Sequence, residues 1–288
     1  MIKVKAYAKL NLNLHILPDL KYKKETGYYP VRFINCELDL HDDLLIDDKK
    51  REITFTCNNK ELSNHDNLVY KAAYLLKQEI NNPSLGAKII LKKQIPVKAG
   101  LGGGSSDAAA TIKALLTLWK VNISAVRISK IIQLLGSDVF YSMQGGLCKI
   151  DGKGELVRKL TNHLPRLWLV LISPDIFKPS TSWMYGQINI DTIGANLNKY
   201  KQLKQAMVNS KKAEIFYSLH NDFEDIIEKQ YLTVKKIKKD LSASGSVKEL
   251  IAGSGLTVVG FYPSKQMALK GLQKLEVKYK NIICTHTR

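Results

Sequence analysis

The stretch that most constrains this chain is residues 96–110, which read PVKAGLGGGSSDAAA. Four glycines fall within residues 100–104, and two serines, an aspartate and three alanines follow at once. Glycine has no Cβ and tolerates positive φ, so this backbone is suited to close approach to a ligand. Serine and aspartate favour the first turn of a helix, and alanine propagates a helix. The stretch is therefore predicted to be a loop that turns directly into a helix.

A loop-to-helix junction of this kind presents backbone N–H groups with the positive end of the helix dipole behind them, which favours anions. Neither common phosphate-binding spacing fits. No lysine follows the glycines as in G-x-x-x-x-G-K-[ST], and Ser105 and Asp107 occupy the places where G-x-G-x-x-G needs its third glycine. A flexible linker is the alternative, but a linker would not lead straight into an alanine-rich helix. We therefore predict a phosphate-binding loop of another type.

The net charge is +18, from 44 Lys and Arg against 26 Asp and Glu, which favours anionic substrates or partners. The lysines are spread along the chain, and no basic block alternates with stacking aromatics. Nucleic-acid binding is therefore not specifically supported, and a solvated lysine-rich surface explains most of the charge. A chain of 288 residues with 45% hydrophobic content is long enough for two globular domains.

Targeting and redox signals point to the cytoplasm. The sequence contains no run of about 18 apolar residues, so no membrane span is predicted. Its first residues, MIKVKAYAKL, lack the apolar core that a signal peptide needs. The four cysteines are scattered without a C-x-x-C pair, so free thiols are expected rather than a disulfide or metal framework. The six histidines are dispersed as well.

Residues 2–16 alternate between apolar and polar side chains, which predicts a strand with one buried and one solvated face. Lys9 and Asn11 project from the polar face. Further strands are predicted near residues 31–40, 43–48, 52–57, 87–92, 147–160, 167–172, 256–262 and 281–286. Helices are predicted from Asp66, after the glycine loop, and over residues 124–135, 139–143, 180–188, 192–209, 211–218, 221–228, 230–241 and 264–275. The class is α+β, with a domain boundary near residues 158–165.

Four stretches then stand in order along the chain: AKLNL at residues 8–12, the glycine loop, GSDV at residues 136–139, and GSG at residues 253–255. Together they resemble the GHMP small-molecule kinases, and within that superfamily most closely the 4-diphosphocytidyl-2-C-methyl-D-erythritol kinase family. The resemblance implies two domains. Residues 1–160 would resemble ribosomal protein S5 domain 2 and bind ATP, and residues 161–288 would be ferredoxin-like.

The resemblance also implies an activity, the ATP- and Mg²⁺-dependent phosphorylation of a hydroxyl of a cytidylylated sugar alcohol. Lys9 and Asp138 match the family's catalytic pair, with Asp138 as the general base. This pairing is chemically sound, because a hydroxyl nucleophile needs a proton acceptor and a neighbouring lysine keeps a carboxylate charged. Adenine would lie near Asn67, and the phosphates would lie against Pro96, Val97, Lys98, Ala99, Gly100, Leu101, Gly102, Gly103, Gly104, Ser105 and Ser106.

The acceptor would be held by Asn11, Tyr28, Tyr29, Thr181 and Tyr185, as the resemblance implies. Tyr29 stands where the family usually has histidine, and Phe140 stands where it usually has proline. The sequence assigns no Mg²⁺ ligand, and the chain is expected to be a monomer or a homodimer. Two alternatives stay open at this point: a GHMP kinase acting on another small alcohol, and a non-catalytic nucleotide- or RNA-binding protein.

Overall fold

The computed structural model describes the backbone of all 288 residues and every side chain except that of Asp191. The helices and strands follow one another as β1 (Ile2–Ile16), α1 (Leu20–Thr26), β2 (Val31–Asp48), β3 (Ile53–Cys57), α2 (Leu68–Ile80), β4 (Ala87–Lys92), α3 (Gly103–Leu118), α4 (Ala125–Leu135), α5 (Asp138–Gln144), β5 (Cys148–Asp151), β6 (Leu156–Lys159), β7 (Trp168–Ile172), α6 (Thr181–Gly186), α7 (Asn198–Val208), α8 (Lys212–Ser218), β8 (His220–Asn221), α9 (Glu224–Gln230), α10 (Leu232–Ala243), β9 (Lys248–Ile251), β10 (Val258–Tyr262), α11 (Lys265–Leu275) and β11 (Ile282–His286). Short 3-10 turns lie at Lys60–Leu62 and Ile190–Thr192.

The chain forms two compact units that interleave in sequence. The first unit consists of Met1–Ala8, Leu40–Val97 and Gly102–Gly145, and the second of Lys9–Asp39, Lys98–Leu101 and Gly146–Arg288. Strands β1 and β2 each contribute to both units, so packing does not follow chain order. The predicted boundary near residue 160, which supposes contiguous domains, stays a prediction.

In the first unit, β4 lies between β2 and β3. It pairs antiparallel with β2 and parallel with β3. Ala87, Ile89 and Leu91 of β4 are buried while the residues between them are exposed, because successive strand side chains point to opposite faces. Helices α2, α3, α4 and α5 bury their apolar faces in the same core as these strand residues.

In the second unit, β7 is the apolar strand that the sequence predicts, and it lies between β10 and β11. The four strands run in the order β11-β7-β10-β9, and each neighbouring pair is antiparallel. Helices α10 and α11 pack on this sheet. The α+β class with two units is therefore confirmed.

Strand β1 is confirmed, but the prediction that its polar face is solvated is wrong beyond residue 8. Lys9, Asn11, Asn13 and His15 are all buried, at 6% exposure or less. Side-chain hydrogen bonds make the burial of Lys9, Asn11 and Asn13 possible: Asn13 Oδ1 accepts from Ile34 N at 3.0 Å, for example. A period of two cannot by itself distinguish a solvated polar face from a buried, hydrogen-bonded one.

Three further predictions need correction. Residues 31–48 form one strand rather than two, because buried Asp42 lies within a strand where its sequence suggests a turn. Asn67, not Asp66, caps α2, with Asn67 Oδ1 accepting from Val69 N at 2.9 Å. Helix α1 and strands β8 and β9 were not predicted. Helix α1 buries none of its residues, so no apolar periodicity reveals it.

The cysteines are free thiols, as expected, with Cys36 and Cys148 buried and the other two half-buried. Among the helices of the described residues, none has the length and apolarity that crossing a bilayer requires.

Candidate active site

The glycine loop turns into α3 as predicted, and Gly102 is the N-cap residue of the helix. Gly102 adopts a left-handed conformation, with φ +68°, and makes no side-chain capping bond. The bond from Ser106 N to Gly102 O, 2.9 Å long, is the first of the helical ladder. The N–H groups of the first turn precede it and have no acceptor within the helix. This is the donor array that the predicted anion site requires.

Beneath the start of α3 lies a buried charge cluster of Asp42, Lys93 and Asp107. Lys93 Nζ lies 2.9 Å from Asp107 Oδ2 and also donates to Asp42 Oδ2. Asp42 Oδ1 accepts from the backbone N–H groups of residues 94 and 95. A Cβ added to Gly103 would lie 3.0 Å from Lys93 Nζ, so the ammonium group underlies the first residue of the helix.

The cluster holds one cation and two carboxylates away from water. Burial raises the pKa of Asp107 to about 8, with Asp42 adding to the shift and Lys93 opposing it. Burial lowers the pKa of Lys93, but the two carboxylates outweigh it and the pKa ends above its ordinary value. Sequence reasoning placed Asp107 only at a helix start and missed this cluster.

Asn67 lies at the start of α2, close to the glycine loop. Its side chain caps that helix and donates to Leu62 O at 2.9 Å. A Cβ added to Gly104 would lie 3.4 Å from Leu68 Cδ1, so the first residues of α2 and α3 are neighbours. The structure thus places Asn67 beside the loop, and its contact with adenine stays a prediction.

Asp138 is the first residue of α5 and is half-buried. Helix α5 packs against α3, with Val139 in the core of the first unit. Phe140 N donates to Ser137 O at 3.1 Å, a bond that proline could not make. The backbone after Asp138 is therefore helical without the proline that the family usually has there.

In the second unit, Lys9 is held at both ends. Its backbone N donates to Leu101 O at 2.9 Å, and its Nζ donates to Asn11 Oδ1 at 2.7 Å. Asn11 Nδ2 donates in turn to Asn35 Oδ1 at 2.8 Å. The predicted catalytic lysine and the predicted acceptor-binding asparagine are therefore joined directly, on one face of β1.

The Gly-Ser-Gly turn packs against Lys98–Leu101 backbone to backbone. A Cβ at Gly100 would lie 2.0 Å from Ala252 O, and one at Gly255 would lie 2.6 Å from Ala99 O. A Cβ at Gly253 would lie 3.3 Å from Lys9 Nζ. Glycine is required at these positions because any side chain would separate the two loops or displace the lysine.

Lys178 adds a cation that sequence reasoning missed. Its Nζ lies 3.0 Å from Ser254 Oγ and 3.3 Å from Thr181 Oγ1. Burial lowers the pKa of Lys178 to about 8. The predicted acceptor residue Thr181 thus lies beside a lysine and a second hydroxyl, a set of donors suited to an anionic group.

The three tyrosines predicted to bind the acceptor differ in exposure and in the groups that they contact. Tyr28 is 60% exposed, with Lys153 Nζ 5.6 Å from its ring centroid. Tyr29 is buried, and its hydroxyl accepts from Lys23 Nζ at 2.6 Å. Tyr185 packs edge-on against Phe223, with ring centroids 5.0 Å apart. Their joint contact with one ligand stays a prediction.

Comparison with known proteins agrees with this geometry. Residues 67–146 match the family described as GHMP kinases N terminal domain. The 4-diphosphocytidyl-2-C-methyl-D-erythritol kinase of Clostridium perfringens (strain 13 / Type A) is 35% identical over 283 residues, which cover 97% of this chain and 95% of that protein. The kinase of the same name from Clostridium tetani (strain Massachusetts / E88) is 33% identical over 287 residues, 99% of this chain and 100% of that protein.

A crystal structure of 4-(cytidine 5'-diphospho)-2C-methyl-D-erythritol kinase matches with a TM-score of 0.84 and 25% identity, covering 99% of each chain. The fold, the glycine loop that opens α3 and the Gly-Ser-Gly turn define the class as a GHMP kinase. Within that class, the chain belongs to the 4-diphosphocytidyl-2-C-methyl-D-erythritol kinase family.

Proposed function

We propose that this protein is an ATP-dependent kinase that phosphorylates the 2-hydroxyl of 4-diphosphocytidyl-2-C-methyl-D-erythritol, in the non-mevalonate route to isoprenoid precursors. Similarity to kinases of that name over nearly the whole chain supports the reaction and the acceptor. The single observation that carries the chemistry is the position of Lys9. Its backbone is bonded to Leu101 of the glycine loop, and its Nζ is bonded to the acceptor residue Asn11.

The glycine loop fits the phosphates of ATP. Its residues lack side chains where the backbone must be approached, and the first turn of α3 supplies N–H donors. When bound, ATP supplies the phosphoryl group and Mg²⁺ neutralises part of its charge. The hydroxyls of Ser105 and Ser106 are the oxygen ligands that the loop itself offers to Mg²⁺. Asp107 is bonded to Lys93 instead.

In this proposal Asp138 is the general base. Phosphoryl transfer depends mainly on positioning and charge, and the attacking hydroxyl must lose a proton. Asp138 accepts that proton. Lys9 is proposed to stabilise the negative charge on the transferred phosphoryl group.

The second unit supplies groups suited to the acceptor. Asn11 and Thr181 offer hydrogen bonds, and the exposed ring of Tyr28 offers a face on which cytosine can stack. Lys178, which lies 3.3 Å from Thr181 Oγ1, adds a positive charge for the diphosphate. Tyr185 is proposed as the second stacking ring. Tyr29 is proposed to contribute through its ring, because Lys23 already engages its hydroxyl.

The acceptor is tested by coupled measurement of ADP release with a panel of alcohols. We expect release with 4-diphosphocytidyl-2-C-methyl-D-erythritol and none with 2-C-methyl-D-erythritol 4-phosphate, mevalonate or homoserine. Release only with one of the other alcohols would reassign the acceptor and keep the kinase chemistry. No release with any of them, while ATP still binds, would favour a non-catalytic nucleotide-binding protein.

The base is tested by Asp138→Asn. We expect ATP affinity to stay within about twofold and kcat to fall by about 10²–10⁴, because general base catalysis is lost. Asp48→Asn, an exposed aspartate in β2, is the matched control and should keep full turnover. Turnover of Asp138→Asn equal to that of the control would refute the assignment.

A further inference from the structure

A cluster of two histidines and an aspartate in the second unit has no part in the proposed reaction. His15 ends the polar face of β1, His220 lies in β8, and Asp222 follows β8 directly. Asp222 Oδ1 lies 2.6 Å from His220 Nε2 and 4.0 Å from His15 Nδ1. The two imidazole rings stack, with centroids 5.1 Å apart. We call these three residues the histidine cluster.

His15 is the unusual member of the cluster. Its side chain is fully buried, and neither ring nitrogen has a hydrogen-bond partner among the described residues. A buried polar group that lacks a hydrogen-bond partner is destabilising, so its presence in a native protein points to a ligand.

The backbone holds the cluster in place. Strands β1 and β8 pair in parallel, with Asn13 opposite His220 and Leu14 opposite Asn221. Asp222 N donates to Leu14 O at 3.0 Å, and Asp222 Oδ2 accepts from Ile16 N at 2.7 Å. The second oxygen, Oδ1, is therefore left pointing at the two imidazoles. Side chains fixed in this way need little reorganisation to bind a ligand.

We propose that His15, His220 and Asp222 form a binding site for a divalent transition-metal ion of the Zn²⁺ type. The three ligand atoms all lie within 4.8 Å of one another. A tetrahedral ion with bonds of about 2.0–2.1 Å needs ligand atoms about 3.4 Å apart, and the observed separations of 2.6 and 4.0 Å bracket that value. Two imidazoles and a carboxylate are ligands that Zn²⁺ commonly takes.

The surroundings leave room for a fourth ligand. His220 and Asp222 line a cavity of about 460 Å³, whose other walls include Asn189, Thr192 and Glu224. A water molecule could complete the coordination from that side. The site is separate from the proposed catalytic Lys9, because the six residue steps of extended strand from Lys9 to His15 span about 20 Å. The ion would tie the end of β1 to β8 and stabilise the second unit.

Metal binding by untagged protein tests the proposal directly. After equilibrium dialysis against Zn²⁺ and then metal-free buffer, we expect about one ion per chain. Co²⁺ in place of Zn²⁺ should give the visible absorption bands of a tetrahedral site. Zn²⁺ should also raise the Tm by several degrees, because a ligand of the folded state alone stabilises it.

Variants separate this site from other histidines. His220→Gln should lose the bound ion, the Co²⁺ bands and the Tm increase, and it should still fold because His220 is not fully buried. His163→Gln, an exposed histidine of the same unit, is the matched control and should keep all three. Failure of the original chain to retain Zn²⁺, or equal retention by His220→Gln, would overturn the proposal. Kinase activity is not the readout, so failure of the proposed function would not affect the test.

Discussion

The buried charge cluster under α3 leads to a sharp prediction for Lys93→Met. Methionine preserves most of the side-chain volume and removes the only cation that bonds Asp42 and Asp107 among the described residues. Both carboxylates are buried, at 0% and 2% exposure, and Asp107 Oδ1 already has no hydrogen-bond partner in the described part of the chain. Water cannot replace the lost ammonium group without opening the core.

The size of the expected loss in free energy of unfolding follows from the burial of Asp42 and Asp107. Removing one partner of a buried, salt-bridged group typically costs about 3–5 kcal/mol, and in Lys93→Met both Asp42 and Asp107 lose the donor that compensates their burial. We expect a loss of that size for Lys93→Met at pH 7. With a urea dependence of about 2–3 kcal/mol per molar, the midpoint of unfolding should fall by about 1–2 M.

The decrease in the free energy of unfolding caused by Lys93→Met should be larger at high pH. The pKa of Asp107 is about 8 in the folded protein, and Lys93 is the group that holds it down. Removing Lys93 moves this pKa further up. When the pKa of a carboxyl group is higher in the folded protein than in the unfolded chain, the free energy of unfolding falls as the pH rises from the unfolded pKa to the folded pKa. Above the folded pKa the group is ionised in both states, and the free energy of unfolding no longer changes on its account. Below about pH 8 both proteins keep Asp107 largely protonated, so the extra cost of the variant appears above pH 8.

Urea unfolding followed by far-UV circular dichroism at pH 7 and pH 9 measures both effects. Lys92→Met is the matched control, because Lys92 is an exposed neighbour in β4, and its effect should stay within about 0.5 kcal/mol. A loss below about 1 kcal/mol for Lys93→Met at both pH values would refute the reasoning. So would a loss that shrinks from pH 7 to pH 9.

Two further predictions concern the second unit. Gly100→Ala should destabilise the chain by more than 3 kcal/mol in urea unfolding, because its Cβ would lie 2.0 Å from Ala252 O. Gly27→Ala has a similar φ, +78° against +82°, and open space, so its loss should be only about 1–2 kcal/mol; equal losses would contradict the steric argument. Lys178 has a pKa of about 8, so the KM for the anionic acceptor should rise above pH 8 as the ammonium group loses its proton. Steady-state kinetics of Lys178→Met should show a higher KM without that rise, and a rise preserved in the variant would exclude Lys178 as its source.

Local rules were sufficient for the elements that position the loop. Period two placed Lys9 and Asn11 on one face of β1, and the strand predicted over residues 87–92 is β4. The glycine run followed by serines and alanines predicted a loop that turns directly into a helix, as α3 does. These features depend on neighbours in the chain, which sequence reasoning sees directly.

The polar networks could not be predicted in the same way. Asp42 lies in β2, Lys93 directly follows β4 and Asp107 lies near the start of α3, and each alone resembles a solvated surface residue. Lys178 has a lowered pKa only because the fold buries it, beside Ser254 of a distant turn. Such partners are decided by tertiary packing, on which local patterning carries no information.

Lys9 of β1 contacts two motifs that are far apart in the sequence, the glycine loop and the Gly-Ser-Gly turn. Lys9 can lie close to the Gly-Ser-Gly turn because Gly253 has no side chain to displace it, and a Cβ there would lie 3.3 Å from its Nζ. Gly100 and Gly255 allow the glycine loop and this turn to meet, and the loop in turn accepts the backbone bond of Lys9. A buried ammonium group that is not needed for chemistry would be costly, since methionine could fill the same space. Gly100, Gly253 and Gly255 therefore act together with Lys9: the close packing that the glycines allow holds the lysine side chain in a fixed position beside the phosphate-binding loop.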